Sequence, residues 1–531
     1  MTSQDLILTL DVGTTNCRAA VLNKHGQILA LAFEPILLIS PERGWFEICP
    51  HGLWGSVCRL IGEVTAGYEG RLATCGITVQ RSTFVTWNRD TGEYLHNLIT
   101  WMDRRSSEMC DSWNSSLLVT AGKWAAWALG RVIRSRHMVC ASTFSVKEKA
   151  VPMRLKWVME NVPAAAPLQK QGKLRFGTVD TWLVWKLTGG RVWATDHSCA
   201  SSTGIFDIWK GCWCPVMCYV FSNPTDALPE IRDSNSHFGD IDSCHGFGFT
   251  IPITGVIGDQ QASIFGNLLF EVGDMKLTLG TGIACNVNTG TTTHPTSHDI
   301  YPLIGWKLAH QPAPFYVAEL LSANGGRAVE WAVTSGLVEH ISQIDQVADS
   351  VPDSGGVSFI PAFNGMEVPY RDPFVGTTLT GITLLTRREH MVRAVLESQA
   401  FISSHMLGTM CGYYGRPGRV RVDGGASRSD FIVRGVVGLS GGVQMERAES
   451  VEGSLLGAGL LAGLGAGIYQ SLDDIKTQVG LKMTNFGSEA PSYHPSDPLA
   501  TLSEAGQSEG LEEAFVTWGR SAEKCAGSSR R

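Results

Sequence analysis

The sequence predicts an α/β protein of two large domains. At 531 residues the chain is longer than one hydrophobic core organises. Apolar runs of strand length alternate with longer helical patterns, most clearly after residue 254. Pro252, just ahead of a strand-like run, marks a boundary and gives domains of 1–253 and 254–475, with 476–531 as a partly disordered extension. The composition, 44% hydrophobic and 18% charged, is that of an ordinary globular chain.

Taken in order, Leu6–Leu10 is a compact apolar strand ending in Asp11. A polar turn at Gly13–Asn16 follows, then Ala19–Leu22 and Ile28–Phe33, an antiparallel opening. The turn offers backbone N–H groups, the Thr14 and Thr15 hydroxyls and Arg18 close behind, which suits phosphate oxygens and equally a structural turn. Gly76–Val79 is a strand running into Gln80, Arg81 and Ser82, and Leu98–Thr100 runs into Trp101. An arginine and a tryptophan on neighbouring strand ends suit a small hydroxylated ligand, or an ordinary surface arginine beside a core tryptophan. Trp113–Lys149 carries no clear pattern.

Phe176–Gly190 predicts a helix closed by two glycines. Val317–Glu319 leads to a helix start at Gly325-Gly326, and Ala394–Gly412 predicts a long helix. Val420–Val422 is a strand ending in Asp423-Gly424-Gly425-Ala426, with Asp430–Leu439 as the helix behind it. Strand, glycine pair and helix let a flat ligand lie against the backbone, or form a plain βα turn. From Gly487 the chain turns polar, and Ala526–Arg531 is predicted to be disordered.

The chain is organised around Thr254–Gly282. Asp259 stands between Gly258 and the amides Gln260 and Gln261, and the strand-like run Met275–Leu279 ends in Gly280-Thr281-Gly282. Glycines flanking a threonine bring backbone N–H groups and a hydroxyl close to an anion. A fixed carboxylate near such a loop is what proton removal from a hydroxyl beside a phosphate requires.

Other classes are disfavoured. A net charge of -7 without a dense basic tract gives no reason to expect nucleic acid; Arg131–Arg136 reads as a solvated face or loop. No Walker P-loop spacing occurs. The 14 cysteines are scattered as reduced thiols would be, and Cys212, Cys214 and Cys218 lack the partners of a zinc set. Gly453–Tyr469 is apolar but glycine-rich and reads as a buried helix rather than a transmembrane segment. No secretory leader is seen, so a cytoplasmic location is expected. Oligomeric state, including a homo-oligomer, is left open.

These pieces, in order, resemble the FGGY family of carbohydrate kinases and within it the glycerol kinases: DVGTT at Asp11–Thr15, Gln80-Arg81, FGTVDTWLVWKLT at Phe176–Thr188, GDQQASIFG at Gly258–Gly266, GTG at Gly280–Gly282 and VDGGA at Val422–Ala426. The likeness spans Leu6 to Tyr469. FGTVDTW followed by a Thr-Asp pair and SSTGIFD is similar to an animal branch of that group. The resemblance implies a two-domain actin-like, ribonuclease H-like ATPase fold with the active site in the interdomain cleft. It implies transfer of the ATP γ-phosphoryl group to a primary hydroxyl of a small polyol. By the same resemblance Asp11 faces Mg2+ through water; Thr14, Thr15, Arg18 and Thr281 contact phosphates; Gly326, Gly425, Ala426 and Ser429 hold adenosine. Arg81, Trp101, Asp259 and Gln260 contact the polyol, with Asp259 as the base.

Three positions depart from the glycerol-kinase pattern. Ser82 stands where a glutamate follows the arginine, Ala284 stands where a phenylalanine follows GTG, and Ala150–Arg154 supplies no aromatic in place of a tyrosine. At about 0.5–1.5 kcal/mol per buried hydrogen bond, such losses weaken glycerol binding or make room for a larger ligand. On the nucleotide side Ser429 replaces an asparagine. A catalytically weak nucleotide-binding regulatory protein of the same fold is therefore the alternative. An actin- or chaperone-like ATPase is disfavoured, because it gives Arg81, Trp101 and Gln260 no role.

Overall fold

The computed structural model describes residues 5–133, 146–148, 150–242, 245–293, 300–363, 365–370, 372, 374–449, 452–487 and 509–528. Residues 134–136 of Arg131–Arg136 and all of 488–508 lie outside them. In the first domain β1 (Leu6–Val12), β2 (Asn16–Leu22), β3 (Ile28–Pro35), β4 (Leu72–Val79) and β5 (Ile253–Gly258) form one sheet in the order β5-β4-β1-β2-β3. β1–β2 and β2–β3 are antiparallel, whereas β4 and β5 run parallel to β1. All seven residues of β1 are buried, because helices cover both faces of the sheet; this is why the strand reads as a continuous apolar run.

The second domain repeats the plan. Strands β6 (Met275–Leu279), β7 (Ile283–Gly290), β8 (Tyr301–Trp306), β9 (Phe315–Ser322), β10 (Val420–Asp423), β11 (Met445–Ala448) and β12 (Met483–Phe486) take the order β8-β9-β7-β6-β10-β11-β12. β6 pairs antiparallel with β7, β7 with β9, and β10 and β11 are parallel to β6. Without the edge strands β8 and β12, the order is that of the first sheet. The turn Gly13–Asn16 between β1 and β2 thus has its counterpart in Gly280–Gly282 between β6 and β7. This duplicated sheet is the actin-like arrangement the resemblance implies.

The strand after Pro252 belongs to the first sheet, since β5 pairs with β4. The boundary expected at 253/254 therefore cuts through a strand, after its first residue, that parallel pairing holds in the first domain. Phe176–Gly190 also differs from expectation. Leu174–Thr178 is a strand paired with Phe84–Asn88, and the helix is only Val179–Leu187. Beyond the expected polar tail, Glu509–Ser528 is a helix whose Phe515, Trp518, Ala522 and Ala526 are buried in the second core. That spacing puts all four on one face, so Ala526 is ordered rather than disordered.

Two helices join the halves: α1 (Asp259–Gly266) after β5 and α2 (Gly453–Gly465) after β11. They share an apolar cluster with Ile7, Ile257 and Trp306. Their contact is backbone to backbone. A Cβ on Gly457 would lie 1.8 Å from the Ala262 carbonyl oxygen, and one on Gly266 2.0 Å from that of Gly453. Gly457→Ala is therefore expected to force the helices apart and cost about 1–3 kcal/mol or more, read as a lowered denaturant midpoint. Gly62→Ala, at an exposed helical glycine whose Cβ would meet nothing within 4 Å, is the control and is expected to stabilise by up to about 1 kcal/mol. Among the described residues no helix is long and apolar enough to cross a membrane.

Candidate active site

The turn between β1 and β2 is held by a ring of hydrogen bonds. Gln80 Nε2 donates to the Gly13 carbonyl at 2.9 Å, and Thr83 Oγ1 donates to Gln80 Oε1 at 3.0 Å. The Trp101 N–H donates to Thr83 Oγ1 at 3.1 Å, and the Trp101 indole donates to Thr14 Oγ1 at 3.1 Å. The strand ends carrying Gln80-Arg81 and Trp101 thus fix one turn. Arg154, fully buried, clamps the same ends by donating to the carbonyls of Ser82 at 2.9 Å and Thr100 at 2.6 Å.

Asp11, at the end of β1, accepts at Oδ2 from Ser454 Oγ at 2.7 Å and from Arg18 at 3.4 Å. Arg18 also pairs with Glu452 at 3.1 Å. Burial pushes the Asp11 carboxyl up to about 6 despite Arg18 and Ser454. Between 3.8 and about 6 the folded protein holds a proton that the unfolded chain has released. Stability from this group is therefore lost as pH rises through that window. Asp11→Asn is expected to raise the melting temperature above pH 6 and leave it unchanged below 3.8, checked by thermal melts across pH.

Asp259 is the first residue of α1, where the positive helix end favours a carboxylate. Its Oδ1 accepts the Gln260 N–H at 2.7 Å and lies 3.3 Å from Arg81 Nε. The preceding Gly258 N–H donates to Ser198 Oγ at 2.8 Å, and Ser198 Oγ donates to buried Asp196 at 2.9 Å, fixing the strand end that presents Asp259. Burial raises the Asp259 pKa, opposed by the Arg81 charge and the Gln260 N–H. The side chain keeps 27% exposure, so it is not sealed in a core.

Arg81 reaches across the domains. Its Nη2 donates to both Glu319 oxygens, at 3.0 and 2.9 Å, and Glu319 on β9 also accepts from Asn286 at 3.0 Å. Gln260 Oε1 accepts from Lys276 Nζ at 3.2 Å and Thr278 Oγ1 at 3.3 Å, both on β6. Buried Lys276 also faces Asp423 at 3.4 Å, and Asp423 accepts from Ser263 on α1. Glu319, Lys276, Asp423 and Ser454 are positions to which sequence reasoning gave no role. Their partners are remote in sequence, and only the odd placement of a charge within an apolar strand, as in Met275–Leu279, could have flagged them.

Three glycine loops meet at the end of β6. Gly326 N–H donates to the Gly280 carbonyl at 2.7 Å, and a Cβ on Gly326 would stand 2.6 Å from that oxygen. Gly424, at φ +88°, would put a Cβ 2.6 Å from Leu279. Half-buried Thr281 stands between Gly280, which meets Gly326 and Gly424, and Gly282, which packs against Gly325. Thr278 on β6 meets Gln260, the neighbour of Asp259. Thr15 is exposed on the opposite turn. The Ser429 hydroxyl caps the helix Asp430–Leu439 and donates to Asp345 at 2.5 Å. Ser82, at φ +62°, turns its hydroxyl onto the Ser202 carbonyl at 2.7 Å. Ala284 is buried in β7.

Residues 6–266 match the N-terminal domain of the FGGY family of carbohydrate kinases and residues 275–466 its C-terminal domain. Glycerol kinase 5 of Xenopus laevis is 37% identical over 86% of this chain and 96% of its own length. Glycerol kinase of Symbiobacterium thermophilum is 35% identical over 98% of each. The fold superposes on Plasmodium falciparum glycerol kinase with ADP at a TM-score of 0.83, with 25% identity over 98% of both chains. A ligand-bound xylulose kinase from Lactobacillus acidophilus superposes at 0.79, with 20% identity over 99% of both.

Proposed function

Because this chain belongs to the FGGY family of carbohydrate kinases, we propose that it transfers the γ-phosphoryl group of ATP to a primary hydroxyl of glycerol or a similar polyol, giving glycerol 3-phosphate. The observation that carries the reading is Asp259, partly exposed at a helix start beside Gln260, whose side chain bonds Thr278 on the strand that runs into Gly280–Gly282. Phosphoryl transfer takes little covalent help from protein, so positioning and charge neutralisation supply most of the rate. Asp259 accepts the hydroxyl proton as the new O–P bond forms, and burial makes it a stronger base than an exposed carboxylate. Arg81 and Trp101 orient the acceptor beside it, and Gln260 anchors the helix start to β6.

Thr14, Thr15, Arg18 and Thr281 approach the phosphates from the two equivalent turns, and the loops at Gly326, Gly425 and Ala426 take the adenosine. Asp11 fits a cation held through water: Arg18 and Ser454 both bond Oδ2, yet its ionised form is still disfavoured, so positive charge is wanted there. Magnesium, when bound, neutralises charge on the phosphate oxygens. Closure of the domains keeps water from serving as acceptor.

A second reading, a catalytically weak nucleotide-binding regulator, is favoured by two contacts. The Ser82 hydroxyl is spent on Ser202, and both Glu319 oxygens hold Arg81. Thermal melting separates the two. ATP-magnesium raises the melting temperature under both readings, and a further rise with glycerol or a related polyol supports the kinase. No polyol response across a broad panel, with the nucleotide response intact, favours the regulator.

A further inference from the structure

The helix Leu117–Val132 is turned inside out relative to the rest of the fold. Leu117 is 87% exposed, Trp124 66% and Val132 80%. At about 3.6 residues per turn these three share one side, while small Ala126 and Gly130 face the protein. Trp127, also exposed, meets Trp124 edge-on at 5.8 Å, and the Arg131 guanidinium lies 4.7 Å from the Trp127 ring. Sixteen residues span about 24 Å, less than the roughly 30 Å of a bilayer core, so this helix does not cross a membrane.

We propose that this helix lies flat on an anionic lipid surface. The charge of the surrounding sequence selects that partner. Between Asp111 and Glu148 the sequence has no acidic residue and five basic ones, Lys123, Arg131, Arg134, Arg136 and Lys147, in a chain of net charge -7. An outward apolar face with two tryptophans suits the headgroup boundary, where indoles concentrate, and adjacent cations add attraction to anionic headgroups. The interaction would bring the kinase to a membrane without a spanning segment. It is independent of the acceptor the enzyme uses.

Flotation of the full chain with phosphatidylcholine vesicles, with and without phosphatidylserine, tests this. Binding to the phosphatidylserine vesicles is expected, weakened by salt and lost in Trp124→Ser/Trp127→Ser and in Lys123→Glu/Arg131→Glu. Unchanged ATP-magnesium stabilisation of both variants shows that they are folded. Absence of binding, or binding that survives both double variants, overturns the proposal. So does concentration-dependent self-association that Trp124→Ser/Trp127→Ser abolishes, which would assign the face to a second copy of the chain.

Discussion

Asp259→Asn is expected to lower the turnover of phosphoryl transfer roughly 10²–10⁴-fold, the usual contribution of a positioned base. The amide keeps the size of the side chain and the acceptor for the Gln260 N–H, so α1 starts as before. It cannot take the hydroxyl proton. Nucleotide affinity should change little, because the loops at Gly280, Gly326 and Gly424 form their contacts with one another. Calorimetric ATP binding alongside steady-state kinetics checks both halves. A fall in affinity matching the fall in turnover would mean that the residue holds the cleft rather than the proton.

Glu319→Ala carries the largest expected loss of stability. Arg81 is 12% exposed at its side chain and Glu319 3%, and the two share a pair of bonds between the domains. Removing the carboxylate leaves a mostly buried guanidinium with Asp259 as its remaining acid. Breaking one side of a buried pair costs about 3–5 kcal/mol, whereas the pair itself is worth far less against an apolar replacement. Glu319→Gln should cost less, since it retains an acceptor. Denaturant midpoints distinguish the two variants, and the polyol KM should rise in both as Arg81 loses its support.

Legibility of the fold followed local pattern. Met275–Leu279 and Asp430–Leu439 appear in the structure with the bounds the sequence predicts, because glycines or a capping serine close each apolar period. Phe176–Thr178 was hidden because the strand passes directly into the helix at Val179 with no intervening loop. The helix Leu117–Val132 was obscured for a related reason: its apolar residues lie on the solvent side, so periodicity pointed to no core. Pro252 misled because a composition break fell inside the first sheet's chain path.

The site divides the same way. Asp11, Arg81 and Asp259 stand in short ordered motifs and could be named from sequence. Glu319 could not, because its partner Arg81 is 238 residues away, and Lys276 meets Asp423 across 147. Arg81–Glu319 joins the two domains, and Lys276–Asp423 joins neighbouring parallel strands of the second sheet. The same geometry shows that Ser429 and Ser82 hold backbone and neighbouring side chains, a role residue type alone does not reveal.

Transfer of label from γ-labelled ATP to a polyol acceptor, run in parallel with wild-type and Asp259→Asn protein, addresses the proton acceptor most directly. Labelled polyol phosphate from the wild type, and only a trace from the variant, is the predicted result. Equal labelling by both proteins, or none from folded wild type that binds ATP, would contradict it.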